Sequence, residues 1–185
     1  MVDPVVLQSV SYVAAAIGVC SAAAYYAMTL REQRRNRKVQ LSTSISDKLT
    51  TKEYLNDFYE VAYLDWTDVE DFMKRYDSSV NKESFVQRFS IWQTYDNIGY
   101  LIREGLVDPN IVYDAAGYHC IMIWGRYKAI INNVSRPELG PRAWENFEYF
   151  AHMMWRIARE RGAFSRASAF DVYRDVYEPM DSTSP

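Results

Sequence analysis

The residues of this chain whose side chains could bind a transition metal are few. There are two histidines, His119 and His152, and two cysteines. Zinc sites gather three or four Cys, His or acidic ligands, but adjacent residues such as His119 and Cys120 point about 100° apart on a helix. Glu148 and His152 lie four residues apart, whereas a di-iron bundle needs two Glu-x-x-His pairs. We therefore expect no metal site, no cofactor, and a packing or surface role for both histidines.

A second group of residues that could do chemistry consists of charged side chains within or beside apolar segments. Its members are Asp96, Arg103, Arg126 and Glu148. If the helices that carry them pack together, these side chains could form a buried ion-pair network. The same residues could instead line a polar ligand pocket, since perturbed charged groups cluster at functional sites. The sequence leaves both interpretations open.

Motifs for nucleophilic or nucleotide chemistry are missing from the sequence. It contains no Gly-x-Ser-x-Gly, no phosphate-binding glycine loop and no dinucleotide fingerprint. With 7 Gly in 185 residues, several of them at predicted helix ends, little glycine remains to cradle a phosphate. We expect no catalysis and identify no small-molecule substrate. An enzyme of unfamiliar type, built from Asp96, Arg126, His119 or Glu148, is the weakest alternative.

The element that would position all of these residues is an apolar segment near the N-terminus. No charged side chain occurs from Val5 to Leu30. As a helix this segment would be about 39 Å long, more than the ~30 Å of bilayer hydrocarbon, so it predicts a transmembrane helix. A cleaved signal peptide and a lipoprotein signal at Cys20 are the alternatives. Both are disfavoured, because the basic residues follow the apolar segment and Val19 is large for the position before a lipidated cysteine.

Five basic residues follow the apolar segment directly: Arg31, Arg34, Arg35, Arg37 and Lys38. Basic residues tend to stay in the cytoplasm, which predicts an outside N-terminus and a cytoplasmic C-terminal domain in the cell membrane. The same residues could bind anionic lipid head groups, or they could only set the topology. We therefore expect membrane lipid to be a partner.

Small residues recur at every fourth position inside the apolar segment, at Ala14, Gly18 and Ala22. This spacing lets two transmembrane helices approach closely. It predicts association through this face, with a second copy of the chain or with other membrane protein subunits.

The rest of the chain has the signals of consecutive helices. Thr50 with Glu53 and Thr67 with Glu70 have the form of capping boxes. Asn81 can cap a helix, and Asp108-Pro109 reads as a cap followed by a first-turn proline. Gly105 and Gly162 are expected helix stops. The predicted helices are Thr50 to Leu64, Thr67 to Tyr76, Lys82 to Glu104, Pro109 to Asn132, Pro141 to Arg161 and Ala169 to Tyr177.

The predicted helices have apolar faces that could form one core. In the helix from Lys82 to Glu104 this face carries Phe85, Phe89, Trp92, Tyr95 and Ile102. The almost wholly apolar stretch His119 to Trp124 predicts the central helix of the domain. Ser135 to Pro141 is expected to be a connection.

Composition limits the class of partner. From Val39 onward there are 22 acids and 16 bases, a net charge of −6. A domain with this balance lacks the basic surface that nucleic acids require, so we expect no nucleic-acid binding.

An aromatic content of 15% exceeds that of disordered chains and predicts a folded domain. These aromatic side chains could fill the core or form a contact surface.

Several segments together resemble an uncharacterised prokaryotic family of membrane-anchored helical domains. They are the N-terminal span, the basic segment after it, Tyr100 to Pro109, Ile123-Trp124, and Trp144 to Phe150. The resemblance covers Tyr54 to Arg161, and its motifs are structural. Gly125 departs from the acidic residue expected after Trp124. The resemblance implies the architecture and no particular activity.

The sequence thus predicts an all-α protein with one transmembrane helix and a cytosolic bundle of about five helices. The expected divisions are 1–30 for the N-terminus and span, 31–49 for the basic juxtamembrane helix, 50–178 for the bundle and 179–185 for a disordered tail. The leading functional hypothesis is a membrane-tethered interaction module, an accessory or structural subunit of a larger membrane assembly. The alternative is a ligand-binding membrane sensor or regulator that signals through the single span.

Overall fold

The computed structural model describes residues 4–163 and 171–178, and within these ranges it contains helices and no strands. The α-helices are α1 (Pro4–Leu49), α2 (Lys52–Ala62), α3 (Val69–Tyr76), α4 (Lys82–Arg103), α5 (Pro109–Ile130), α6 (Arg136–Leu139), α7 (Glu145–Glu160) and α8 (Arg174–Tyr177). The predicted all-α fold class is confirmed. The predicted tail 179–185 and the predicted helix start at Ala169 lie outside the described residues.

The chain divides into two compact units, Met1–Gln40 and Leu41–Pro185. In the first unit, described side chains of α1 such as Tyr12, Ile17 and Tyr26 are exposed. One helix near the N-terminus, Ser11–Leu49, is long and apolar enough to cross a membrane, with a stretch of mean hydropathy 1.6.

The second unit begins with the last turns of α1, which pack into the helical core. Leu49 is fully buried, and the buried Ser42 hydroxyl accepts the Asp108 backbone N–H at 2.9 Å. Thr50 ends α1, because its hydroxyl donates to the carbonyls of Ser46 and Asp47. The predicted Thr50 cap is therefore wrong by one residue, and Thr51 caps α2.

The N-termini of α3, α4 and α5 are also fixed by local hydrogen bonds. The predicted cap at Thr67 is also displaced by one residue: the Asp68 carboxylate accepts the Asp71 N–H and caps α3. Asn81 accepts the Ser84 N–H and caps α4, as predicted. Asp108 caps α5 with Pro109 in the first turn, also as predicted. These caps satisfy free amide groups of the first helical turn.

Helix α5 is the central helix, as its apolar sequence predicts. Residues 120–124 are buried, and α5 packs against α2 and α7. The tyrosine hydroxyls of this core are paired: the Tyr127 hydroxyl donates to the Val61 carbonyl at 2.6 Å, and the hydroxyls of Tyr54 and Tyr95 lie 2.5 Å apart. Because buried hydroxyls without partners are costly, these bonds specify how the helices pack.

Helices α4 and α7 approach each other very closely at Gly99. A Cβ atom placed there would lie 1.9 Å from the Asn146 carbonyl oxygen. One turn earlier, the Asp96 carboxylate accepts the backbone N–H groups of Asn146 and Phe147 at 3.1 and 3.0 Å, and the Asn146 side-chain amide at 3.2 Å. Helix α4 thus supplies the cap that the start of α7 lacks in its own sequence.

The segment between α5 and α7 differs from the prediction. Helix α5 continues as a π-helical turn, Ile131–Ser135, and then as α6, so the predicted connection from Ser135 to Pro141 is partly helical. Helix α7 begins at Glu145 and not at Pro141, because Trp144 has a left-handed backbone with φ of 63°. A residue in that conformation cannot continue a right-handed helix.

Candidate functional site

The candidate site is a cavity of about 170 Å³ in the second unit, beside Arg88 of α4. We call it the Arg88 cavity. Its wall consists of residues from α3, the turn after it, α4, the end of α5, the π-helical turn, α6 and Trp144. The lining residues are Phe72, Met73, Asp77, Ser78, Phe85, Arg88, Phe89, Trp92, Ile130, Val134, Ser135, Glu138, Leu139 and Trp144.

Arg88 is a buried cation, with a residue exposure of 5%. Its Nη1 group donates to the Tyr76 carbonyl at 3.3 Å. Its guanidinium lies 4.6 Å from the centre of the Phe72 ring and 5.4 Å from that of Trp92. Within the described ranges, no carboxylate forms an ion pair with it. Burial therefore lowers the pKa of Arg88, although a guanidinium stays protonated in proteins.

Of the two acids that line the Arg88 cavity, Asp77 forms hydrogen bonds within its own turn. The Asp77 carboxylate accepts the Ser79 hydroxyl at 2.6 Å and the Ser79 backbone N–H at 2.9 Å. These hydrogen bonds lower the pKa of Asp77, and the positive charge of Arg88 lowers it further. Asp77 therefore stays ionised at neutral pH without forming an ion pair with Arg88.

Aromatic rings form much of the opposite wall. The Trp144 ring packs edge to face against two other rings, with centroid distances of 5.3 Å to Phe89 and 5.6 Å to Trp92. The indole N–H groups of Trp92 and Trp144 are buried and have no hydrogen-bond partner among the described residues. Such donors are costly to leave unpaired. The wall thus presents mainly apolar aromatic surface around Arg88.

Two unusual backbone features border the cavity. The π-helical turn contributes Val134 and Ser135, and Trp144 is the non-glycine residue with a left-handed backbone in the described part of the chain. Arg136 braces this segment by donating to the Ala143 carbonyl at 3.2 Å and to Glu148 at 2.5 Å. Both π-helical turns and left-handed non-glycine residues cost free energy that the surrounding structure must offset, and both are enriched at functional sites.

The four charged residues singled out in the sequence do not form a shared network. Within the described part of the chain, no hydrogen bond or ion pair joins any two of them. Asp96 caps α7, and Glu148 pairs with Arg136. Arg103 lies 3.5 Å from Glu145, and Arg126 donates to the Leu64 carbonyl and stacks on a tryptophan ring. Each has a structural partner in a different place, because the helix faces that carry them point to different neighbours.

The two histidines also lie apart. His119 packs against the Phe58 ring at 4.1 Å, and His152 meets the Tyr177 ring edge to face at 5.1 Å. Burial lowers the pKa of both imidazoles. No group of three or more His, Cys, Asp or Glu in residues 4–163 and 171–178 could hold a metal ion.

The predicted membrane residues lie on the first unit. Arg31, Arg34, Arg35 and Arg37 are exposed, and Lys38 is half-buried. The small residues Ala14, Gly18 and Ala22 form part of the exposed surface of α1, and no atom lies within 4 Å of a Cβ placed at Gly18.

Sequence reasoning missed Arg88. We predicted Phe85 and Phe89 to be core residues on one stripe of α4, but Phe89 is 39% exposed and both rings line the cavity. The available signal was the spacing of Phe85, Arg88, Phe89 and Trp92, which places a cation within an aromatic helix face. The left-handed backbone at Trp144 has no comparable local signal.

Fold and site together define a class of protein: an all-α chain with one helix able to cross a membrane and a helical bundle that contains a small cation-lined cavity. The chain belongs to a family described as a domain of unknown function, DUF4760, whose model matches residues 12–155. This finding confirms the resemblance to an uncharacterised family. No curated protein and no solved structure matches the chain significantly.

Proposed function

We propose that this protein is a membrane-anchored regulator without catalytic activity that binds a small ligand in the Arg88 cavity. The observation that carries this proposal is the cavity itself, with its buried guanidinium that forms no ion pair in the described part of the chain. Buried charges in proteins are normally paired, so an unpaired one next to a cavity is typical of a ligand site. The sensor hypothesis needs such a pocket.

We further propose that α1 crosses the cell membrane with the N-terminus outside and the bundle in the cytoplasm. The basic residues Arg31 to Lys38 support this orientation. On this basis the second unit would meet cytoplasmic ligands. A fluorescent protein fused to the C-terminus should fold and fluoresce, and replacing the five basic residues by Gln should reduce the fraction of correctly oriented chains. Equal orientation with and without these residues would contradict the assignment.

Ligand binding can be tested by blocking the cavity. Val134 is partly buried and lines the cavity, whereas its neighbour Asn133 is exposed and does not. Val134→Phe should fill the space, and Asn133→Phe is the matched control on the same turn. A small-anion library would be screened by thermal unfolding against the full chain in detergent. Compounds that stabilise the unaltered protein and the Asn133 variant, but not the Val134 variant, support the proposal. Equal responses from both variants would refute it.

A second function, the membrane-tethered interaction module, is favoured by one other observation. Tyr59 and Tyr63 stack on each other at 5.9 Å while 53% and 71% exposed. Exposed tyrosines are enriched in protein interfaces. A partner could be another membrane subunit or a second copy joined through Ala14, Gly18 and Ala22. Native purification in mild detergent tests this function, and a monomer recovered without other subunits would count against it.

A further inference from the structure

We propose that the Arg88 cavity takes a small aromatic monocarboxylate, an anion that carries one negative charge on a single flat ring. The inference rests on the proposed function, because it names the ligand class of the same cavity. It follows from three features that meet there: a buried guanidinium, acidic side chains nearby, and walls of aromatic rings.

The need for an anion follows from the surroundings of Arg88. The Arg88 residue is 5% exposed, its guanidinium donates to one carbonyl oxygen and lies over three aromatic rings, and Asp77 acts on it without forming an ion pair. Carbonyl and ring contacts offset only part of the cost of burying a charge. A carboxylate matches the planar donor fork of a guanidinium with two parallel hydrogen bonds. It is therefore the group that best completes this site.

The number of charges is limited by the acids of the wall. Asp77 and Glu138 both line the cavity, and the hydrogen bonds from Ser79 keep Asp77 ionised. A ligand with two negative charges, such as a phosphate monoester, would be repelled by these carboxylates. A monoanion is attracted by Arg88 and meets less repulsion.

The body of the ligand follows from the size and lining of the cavity. A volume of about 170 Å³ is small beside the 300–1,000 Å³ typical of drug-sized ligands. The rings of Phe85, Phe89, Trp92 and Trp144 present flat apolar surface, on which a ring can stack or pack edge to face. A single substituted ring meets all of these conditions.

The test compares three probes that share a 4-fluorophenyl ring: 4-fluorobenzoate, its isosteric neutral amide 4-fluorobenzamide, and the larger dianion 4-fluorophenyl phosphate. Binding to the full chain in detergent is measured by fluorine NMR, and Val134→Phe protein in the same detergent corrects for partition into micelles. We expect saturable binding of the benzoate. The amide and the phosphate should each bind at least ten-fold more weakly.

Variants then assign the selectivity to residues. Arg88→Met should abolish benzoate binding, and Arg88→Lys should retain part of it because the charge remains. Asp77→Asn should reduce the difference in binding affinity between benzoate and phenyl phosphate. Arg103→Met is the control, since Arg103 stacks on Tyr149 away from the cavity. Tryptophan fluorescence verifies folding, and if Arg88→Met does not fold, the Lys and Asp77 variants still decide the outcome.

The outcomes separate this inference from the proposed function. Equal affinity for benzoate and benzamide, or for benzoate and phenyl phosphate, overturns the monocarboxylate assignment. If Val134→Phe still blocks the binding of these probes, the proposed function is retained. If no probe binds and the anion library also gives no compound sensitive to Val134→Phe, both fail. Benzoate binding that survives Arg88→Met in a folded protein also overturns the inference.

Discussion

Replacing Gly99 by alanine should open the contact between α4 and α7. The new Cβ would lie 1.9 Å from the Asn146 carbonyl oxygen and 2.6 Å from its carbon, whereas ordinary contact begins at 3.4 Å. The obstacle is backbone, so no side-chain rotation can relieve it. The helices must separate by about 1.5 Å, and overpacking of this kind typically costs about 1–3 kcal/mol or more.

The same separation would weaken the cap at the start of α7. Asp96 lies one turn before Gly99, and its three hydrogen bonds to Asn146 and Phe147 cross the same contact. A hydrogen bond to a charged group contributes about 1.5–3 kcal/mol, while alanine gains about 1 kcal/mol over glycine within a helix. We therefore expect Gly99→Ala to lower the free energy of unfolding by about 1.5–5 kcal/mol.

The assay is urea unfolding of the full chain in nonionic detergent, followed by tryptophan fluorescence. All 5 tryptophans lie between Trp66 and Trp155, so the signal reports on the second unit. The control is Gly117→Ala, whose Cβ would meet the ring of Tyr113 at 2.4 Å. This ring can turn aside, so the control should stay within about 1 kcal/mol of the unaltered protein. Equal unfolding midpoints for the two variants would refute the close approach of α4 and α7.

Three more predictions concern single side chains. Asp96→Ala should lower the free energy of unfolding by about 2–4 kcal/mol and Asp96→Asn by less, because the amide keeps one acceptor for the α7 N–H groups; equal losses in urea unfolding would contradict this. Burial lowers the pKa of His119 in the folded protein below its ordinary value of 6.5. The unfolded state therefore binds more protons as the pH falls below 6.5, and the free energy of unfolding should decrease from pH 7 to pH 5. His119→Gln should reduce this pH dependence, and an unchanged dependence would argue against the prediction. Burial raises the pKa of the Cys120 thiol, so iodoacetamide at pH 8 should modify it only after unfolding; rapid modification of native Cys20→Ser protein, measured by mass spectrometry, would show that Cys120 is accessible.

The contribution of Arg88 to ligand binding can be measured separately from its effect on folding stability. A buried charge without an ion pair costs desolvation free energy, and replacing it by an apolar residue of similar length removes that cost. Replacement by methionine also removes the hydrogen bond to the Tyr76 carbonyl and the contacts with the Phe72 and Trp92 rings. Stability and ligand affinity of the same variant therefore report on different properties of the residue.

The features that could be predicted from the sequence are local. The helical class, the caps at Asn81 and Asp108, and the stops at Gly105 and Gly162 were all correct. A cap depends on hydrogen bonds within one turn, and a stop on the backbone freedom of one glycine. The apolar length of α1 depends on composition alone. The one-residue errors at Thr50 and Thr67 arose because neighbouring side chains compete for the same free amides and carbonyls.

Other features depend on contacts between residues distant in sequence. Asp96 lies 50 positions from the amide it caps, and only packing of α4 on α7 brings them together. The same packing separates Arg103, Arg126 and Glu148, which share no face once the helix rotations are set. Arg88 became a candidate site because α3 brings the Phe72 ring beside it and the turn at Trp144 adds a further ring to the cavity wall. Residue type and spacing thus determined the helices and the apolar length of α1, whereas the relative rotation and approach of the helices decided which charges are buried, paired or left beside a cavity.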